Sequence, residues 1–328
     1  MHFKPVKTAM VFAGGLGLAA YHGGVYEAFA RRSLPLHWVT GSSAGAITAA
    51  VIAGNRDTDR VERLRAFWNS PPPSVSFQQW PHLSAWLGAV TTRLMGSAGH
   101  FHPRVPSINP FGFRSIYDLK PMRERILSLV DFGRLNGGEM RLCVAATDLE
   151  SGDPVIFDTQ SHRVEIDHLL ASCGFLPEFA PVEIAGRLLG DGGLSLNAPF
   201  DPILTSELDG ELLLYVIDLY PRDGVRPDSL ESALERKNDL LFGNQTLLRL
   251  QYCAELRTLK TPHHRSHDDR GPDRIVLLSY RPGIEEAGPE KSFDLSVPRI
   301  VQRWNAGIAD MEYSEHLGSG GSLVVVRR

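Results

Sequence analysis

Residues 38–51 are WVTGSSAGAITAAV, in which an apolar run meets two serines between glycines and continues into small apolar residues. The run LHWVT (36–40) is typical of a buried strand, and SAGAITAAVIAG (43–54) of a small-residue helix. Before them, TAMVFA (8–13) is another buried run that ends in a glycine pair, and a helix is predicted at about 20–31. Strands and helices in this alternation predict an α/β fold, with three α/β/α layers around a mostly parallel sheet.

Further apolar runs along the chain fit the same alternation. We expect residues 1–205 to form a core, and residues 206–328 to complete the sheet and pack on that core. Helices are predicted at about 118–130, 229–258 and 295–313. Two strands are predicted on either side of Ser151-Gly152-Asp153, and two more form a hairpin through Ala185-Gly186. Further strands are predicted at about 212–218 and 275–280.

The composition is that of a folded protein without a strong charge bias. With 328 residues, of which 43% are hydrophobic, the chain can bury a substantial core. The net charge is −4 and the pI is about 6.3, so a nucleic acid partner is not expected. Cys143, Cys173 and Cys253 are widely spaced and form no CxxC pair, which argues against a disulfide framework and a structural zinc site.

Membrane and export signals in the sequence are weak. No run of about 18 apolar residues occurs, so no segment is predicted to span a bilayer. Lys4 and Lys7 precede TAMVFAGGLGLAA and imitate the start of a secretory signal, but glycines interrupt the apolar stretch. We therefore expect no signal peptide, and a cytoplasmic protein that is soluble or peripheral to a membrane.

Residues 69–115 form an insertion that is rich in proline, glycine, aromatic residues and histidine. Apolar residues recur in it at three- and four-residue spacing, which predicts one apolar stripe on a helix. Two interpretations stay open: a helix packed on the domain, or a lid or lipid-facing helix. The stripe consists of Trp80, Leu83, Trp86, Leu87, Val90 and Leu94.

Gly41-Ser42-Ser43-Ala44-Gly45 matches the G-x-S-x-G pattern, with Ser43 at its centre. The glycines of this pattern permit a sharp turn from strand to helix, which leaves the serine pointing out at the helix N-terminus. The helix dipole and free N–H groups there favour developing negative charge. Ser42 is the competing nucleophile, but it falls on the strand side of the turn. The pattern therefore predicts Ser43 as the nucleophile.

Gly14-Gly15-Leu16-Gly17 is a glycine-rich turn between a predicted strand and a predicted helix. Its backbone N–H groups can stabilise the oxyanion of an acyl-transfer intermediate, and the Ala44 N–H adds another donor. The alternative is a dinucleotide site, because residues 15–20 fit G-x-G-x-x-A. That site needs an acidic residue after the second strand, whereas this strand ends in Thr40 and the serine turn. We therefore expect an oxyanion hole rather than a nucleotide site.

Gly190-Asp191-Gly192-Gly193 places a carboxylate between glycines at the end of an apolar segment. The glycines allow Asp191 to approach another loop closely. An ordinary aspartate turn has the same pattern, so this segment alone does not distinguish the two roles.

Three motifs in this order resemble the patatin-like phospholipase family: GGLGLAAYHGGV (14–25), GSSAG (41–45) and DGGLSLNAP (191–199). The resemblance covers about residues 8–205, and SFDLSVPRIVQRWNAGIADM (292–311) is similar to an extension in a bacterial branch. Members of this family are acyl hydrolases with a Ser-Asp dyad. The resemblance implies the hydrolysis of lipid carboxylic esters, of phospholipase A or lysophospholipase type, through an acyl-enzyme.

The resemblance also assigns residues. It implies that Ser43 is the nucleophile and Asp191 its base, with an oxyanion hole around Gly14, Gly15 and Leu16. No metal or other cofactor has a place in this mechanism. The implied partner is a lipid or acyl-ester substrate, with peripheral contact to a membrane.

Two positions depart from the family pattern. Leu16 stands where a third glycine is usual, and Leu18 where Arg or Lys is common. Leu16 still supplies a backbone N–H, but the missing cation puts activity and any preference for anionic substrates in doubt. A second hypothesis is therefore a lipid- or fatty-acid-binding protein of the same fold without turnover.

A third hypothesis is an esterase with a histidine base. His263, His264, His267 and His316 follow the serine and the aspartate, as the histidine does in α/β-hydrolases. Ser43, however, comes too early in the chain for a central strand of that fold. The HHRSH cluster lies in a polar tract suited to solvent, and metal binding is its other alternative.

Overall fold

The computed structural model describes residues 6–68, 91–104, 115–207, 211–260, 273–283, 286, 291–317 and 323–326. The strands in this part of the chain are β1 (Val6–Phe12), β2 (Trp38–Ser42), β3 (His102–Pro103), β4 (Tyr117–Asp118), β5 (Arg141–Asp148), β6 (Pro154–Asp158), β7 (Val182–Ile184), β8 (Arg187–Asp191), β9 (Glu211–Asp218), β10 (Arg274–Ser279) and β11 (Leu323–Val326). Nine of these strands form one sheet in the order β11-β10-β9-β1-β2-β5-β8-β7, with β6 also paired to β5.

The sheet is mostly parallel, as the sequence predicts. β1 pairs in parallel with β2 on one side and with β9 on the other. The parallel pairing continues from β9 through β10 to β11 and from β2 to β5. β6, β7 and β8 add an antiparallel margin next to β5. A separate antiparallel pair joins β3 to β4.

Helices cover both faces of the sheet. In chain order they are α1 (Ala20–Ala30), α2 (Ala44–Ala53), α3 (Arg60–Trp68), α4 (Lys120–Leu129), α5 (Phe132–Leu135), α6 (Ile166–Ser172), α7 (Asp201–Thr205), α8 (Leu230–Lys260) and α9 (Val297–His316). Short 3-10 turns lie at Leu16–Ala19, Gly192–Leu194 and Lys291–Phe293.

Alternate residues of β1 belong to two separate hydrophobic clusters. Met10 and Phe12 pack in a cluster that includes residues of α1, α2 and α9. Ala9 and Val11 pack in another cluster, with residues of α7 and α8. Because successive side chains of a strand point to opposite faces, the two clusters are the two sides of the sheet. The prediction of three α/β/α layers is confirmed.

Helix α9 packs directly on α1 because both helices carry glycine at the crossing. A Cβ atom on Gly24 would lie 1.8 Å from the carbonyl oxygen of Trp304, and one on Gly307 would lie 2.2 Å from that of Tyr21. Only glycine permits such an approach of two backbones. Together with the pairing of β9 to β1, these contacts support the proposal that residues 206–328 complete the core formed by residues 1–205.

The elements predicted from periodicity lie close to their expected positions. The helices expected at 229–258 and 295–313 correspond to α8 and α9, and the hairpin at Ala185-Gly186 joins β7 to β8. The predicted apolar stripe over residues 80–94 lies outside the described residues, except for part of its last turn, where Leu94 is exposed. Among the helices that the structure describes, none combines the length and the apolar character needed to cross a membrane.

Candidate active site

Ser43 occupies a sharp turn between β2 and α2. Its backbone has φ +54° and ψ −127°, a region that residues with a side chain rarely adopt. A Cβ atom on Gly41 would lie 2.2 Å from the Gly45 carbonyl oxygen, and one on Gly45 would lie 2.0 Å from that of Phe12. The two glycines are therefore required for the close approach of the turn to its own helix and to β1.

The two adjacent serines have different environments. Ser43 lines a cavity, whereas Ser42 is the last residue of β2 and is fully buried. The Ser42 hydroxyl has no hydrogen-bond partner in the described part of the chain. Only Ser43 therefore has the access that a nucleophile needs.

Ser172, the last residue of α6, forms a hydrogen bond with the backbone of this turn. The Ser43 N–H donates a 2.8 Å hydrogen bond to the Ser172 hydroxyl, which in turn donates to the Ala145 carbonyl at 2.6 Å. Ser172 is fully buried. The role of Ser172 is not predicted from the sequence, where its only signal is a serine within the apolar segment LLASCGF (169–175).

Asp191 ends β8 and is nearly inaccessible to solvent, with 2% of its surface exposed. Its Oδ1 accepts a 2.7 Å hydrogen bond from the Gly193 N–H. Its Oδ2 has no partner with hydrogen-bond geometry among the described residues, although the Ser43 hydroxyl is near enough to affect the carboxyl. The Thr147 hydroxyl donates to the Asp191 carbonyl at 2.7 Å and fixes the loop to β5.

Burial raises the pKa of Asp191 to about 7. The nearby Ser43 hydroxyl and the Gly193 N–H both lower this pKa, but they do not offset the loss of water around the carboxyl. A carboxylate with a pKa near neutral accepts a proton far more readily than an ordinary aspartate, which makes it a suitable general base at neutral pH.

The glycine-rich turn supplies fewer free donors than the sequence suggests. The Gly14 N–H donates to both the carbonyl oxygen and Oδ1 of Asn197, at 3.2 and 3.1 Å. The N–H groups of Gly15, Leu16 and Ala44 have no hydrogen-bond acceptor among the described residues. These three N–H groups can therefore donate to a bound molecule, while the bonds between Gly14 and Asn197 fix the turn.

Leu16 adopts a backbone conformation that favours glycine. Its φ is +48°, in the left-handed region, at the position where the family pattern usually has a third glycine. The backbone at Leu16 therefore keeps the conformation that glycine favours, although the residue is leucine. The Leu16 side chain is half-buried against the hydrophobic core.

Ser43 and Asp191 line one cavity of about 340 Å³, together with the glycine-rich turn. A volume of this size is at the lower end of the range for small-molecule sites. Aromatic side chains and three cations complete much of its lining: Phe175, Phe179, Tyr220, Phe242, Phe293, Arg93, Lys237 and Lys291.

The cations of the cavity come from outside the glycine-rich turn. Leu18, which stands where Arg or Lys is common, is uncharged and fully buried. Lys291 is also buried and pairs with Glu235 at 3.0 Å and Asp239 at 2.9 Å, which neutralises it. Lys237 is exposed on α8 and has no ion-pair partner among the residues that the structure describes.

No histidine of the described chain lines the cavity. His316 is exposed at the end of α9, and His263, His264 and His267 lie outside the described residues. The residues that the structure describes also contain no group of three or more His, Cys, Asp or Glu side chains arranged to hold a metal ion.

Several solved structures are similar to this chain at low sequence identity. VipD from Legionella pneumophila has a TM-score of 0.46 and 13% identity, over 94% of this chain and 66% of VipD. The ExoU-SpcU complex from the type III secretion system of Pseudomonas aeruginosa has a TM-score of 0.30 and 16% identity, over 78% of this chain and 52% of the matched chain. The chain thus spans less than two thirds of the length of each. No curated protein matches the sequence significantly.

Residues 10–204 match the sequence profile of the family described as patatin-like phospholipase. The matched range is more than half of the 328 residues and includes the Ser43 turn, the glycine-rich turn and the Asp191 loop. The chain therefore belongs to the patatin-like phospholipase family.

Proposed function

We propose that the protein is a serine acyl hydrolase that cleaves carboxylic esters of lipids, of phospholipase A or lysophospholipase type. The observation that carries the proposal is the pairing, in one cavity, of a strained and accessible Ser43 with the buried Asp191 carboxyl, whose pKa is raised to about 7. Membership of the patatin-like phospholipase family supports the same reaction class.

The first half of the reaction forms an acyl-enzyme. Asp191 takes the proton of the Ser43 hydroxyl as Ser43 Oγ attacks the ester carbonyl. The negative charge that develops on the carbonyl oxygen is stabilised by N–H groups of Gly15, Leu16 and Ala44. The tetrahedral intermediate then collapses, the bond to the alcohol breaks, and Asp191 returns the proton to the departing alkoxide oxygen.

The second half repeats these steps with water. Asp191 takes a proton from a water molecule, whose oxygen attacks the acyl carbon. Collapse of the new intermediate breaks the bond to Ser43 Oγ, which recovers the proton, and the fatty acid leaves as product. Apart from the water molecule, the groups used in these steps belong to the Ser43 turn, the glycine-rich turn and the Asp191 loop.

The lining of the cavity favours an ester with a long apolar part. Phe175, Phe179 and Phe242 supply apolar surface for an acyl chain, while Lys237 offers a charge to a head group. An apolar cavity with a few polar groups near the reacting atoms is the usual form of a small-molecule site.

Covalent labelling tests the nucleophile directly. An alkyl fluorophosphonate should react with the wild-type protein at one site, and peptide mass spectrometry should find the adduct on Ser43. Ser42→Ala should label as the wild type does, and Ser43→Ala should not label. An adduct on any other residue, or full labelling of Ser43→Ala, contradicts the proposal. Saturable fatty-acid binding without labelling or turnover would instead favour the non-catalytic lipid-binding protein.

A further inference from the structure

Helix α8 carries a line of exposed apolar side chains. Leu230 is 79% exposed, Leu234 39%, Leu241 56%, Leu248 50% and Tyr252 62%. At about 100° per residue, these five positions fall within an arc of about 40° on the helix surface. The line extends over 22 residue steps, or about 33 Å. We call these five side chains the α8 stripe.

The opposite side of α8 fixes the helix to the protein. Leu250 and Thr246 are buried, and Leu250 belongs to the hydrophobic cluster that contains Ala9 and Val11 of β1. A Cβ atom on Gly243 would lie 2.4 Å from the Tyr220 carbonyl oxygen, so the helix also packs closely on the chain after β9. The α8 stripe is therefore the outward side of an anchored helix.

One end of the α8 stripe meets the active-site cavity. Leu234 belongs to the stripe and also lines the cavity, next to Lys237 and Phe242 of the same helix. A molecule that moves along the stripe toward Leu234 therefore reaches the mouth of the cavity.

We infer that the α8 stripe is the surface by which the protein docks on a lipid aggregate, an inference that rests on the proposed lipid ester hydrolysis. A helix with one exposed apolar side lies flat in a lipid interface with that side inserted. In that orientation the cavity mouth at Leu234 opens toward the lipid, which is where the substrate is. Lys237 lies in the same region and can extend its ammonium group to the head groups while its stem covers apolar surface.

A second copy of the chain is a less suitable occupant. A partner that covered the whole α8 stripe would also cover Leu234 and Lys237, and would obstruct the cavity that they line. The exposed Glu255, one turn beyond Tyr252, lies beside the stripe on the helix surface. The apolar surface is continuous with the cavity at Leu234.

The test separates docking from chemistry. Leu241→Glu/Leu248→Glu places two charges in the middle of the stripe, and neither residue lines the cavity. Leu34→Glu/Leu127→Glu is the matched control, because Leu34 and Leu127 are exposed to a similar degree, 42% and 45%, away from α8. Binding of the full chain to vesicles of phosphatidylcholine with phosphatidylglycerol is measured by cosedimentation, and hydrolysis of a soluble short-chain ester is measured in parallel.

The stripe variant should weaken vesicle binding by at least about tenfold and change kcat/KM for the soluble ester by less than about twofold. The control should change neither quantity. Undiminished vesicle binding by the stripe variant, or a wild type that does not bind vesicles, overturns the inference. So does a wild-type dimer that becomes a monomer in the stripe variant while vesicle binding persists. A wild type that binds vesicles through the stripe but hydrolyses no ester contradicts the proposed function instead.

Discussion

The backbone N–H of Ser43 donates a 2.8 Å hydrogen bond to the hydroxyl of Ser172, which lies 129 residues later in the chain. The same hydroxyl donates to the Ala145 carbonyl of β5, so one buried side chain links the serine turn to a central strand. Strained backbone persists only where its surroundings hold it in place. The bond to Ser172 therefore helps to hold the conformation of Ser43.

Ser172→Ala should therefore lower both stability and activity. The substitution leaves the Ser43 N–H and the Ala145 carbonyl without their buried partner, at a cost of about 1–3 kcal/mol in the free energy of unfolding. Because the turn positions Ser43, the proposed nucleophile, we expect a large decrease in kcat and a smaller change in KM. Chemical denaturation and steady-state kinetics on a soluble ester measure the two effects.

Ser42→Ala is the control for this prediction. The Ser42 hydroxyl is equally buried but has no partner in the described structure, so its removal should be neutral or slightly stabilising. Activity should be retained. Equal losses in the two variants would mean that Ser172 has no special role at the turn.

The raised pKa of Asp191 predicts how activity depends on pH. In the proposed mechanism the base is the ionised carboxyl, so kcat/KM should rise with pH through about 7 and level off above it. An ordinary aspartate would give a profile that is flat from about pH 5 upward. The pH profile of kcat/KM for a non-ionising ester distinguishes the two cases.

The same pKa shift predicts how stability depends on pH. The folded protein holds the Asp191 proton up to about pH 7, whereas the unfolded chain releases it near pH 4. The native state thus binds more protons between these values, and this residue's contribution makes the protein less stable as pH rises through that window. Asp191→Asn should gain stability relative to the wild type over the same window. A constant difference in unfolding free energy from pH 4 to 7 would contradict the shift.

Two glycines of the glycine-rich turn should differ in their tolerance of alanine. A Cβ atom on Gly14 would lie 2.7 Å from Asn197 Oδ1 and 3.1 Å from the Cβ of Ser43, so it displaces groups of the site itself. A Cβ atom on Gly15 would lie 2.6 Å from the end of the Leu219 side chain, which does not line the cavity. Gly14→Ala should lower kcat at least about tenfold, and Gly15→Ala should lower it less. The reverse order would contradict the role of Asn197 in fixing the loop.

The features predicted correctly from the sequence are those that a few neighbouring residues determine. The Ser43 turn follows from an apolar run, two glycines and small residues within one short segment. The Ala185-Gly186 hairpin likewise lies between two adjacent strands. In each case the backbone is restricted by residues next to one another in the chain.

The features that were missed depend on partners far away in the chain. The Gly14 N–H donates to Asn197, which lies 183 residues later in the chain. The sequence pattern indicates Gly14 as an oxyanion donor because it does not reveal this distant partner. Ser172 is likewise far from its partner Ser43 in the chain, so the sequence does not reveal their hydrogen bond. Periodicity predicted the helix α8 but not which of its sides stays exposed, because that depends on what packs beside it.

The most direct test of the Ser-Asp dyad is the hydrolysis of a fluorogenic medium-chain ester by wild type, Ser43→Ala and Asp191→Asn, each checked for folding by circular dichroism. We expect turnover by the wild type and a loss of at least about a thousandfold in each variant, because the proposed nucleophile and base act as a unit. Substantial activity in folded Asp191→Asn would contradict it and would transfer the role of base to another residue.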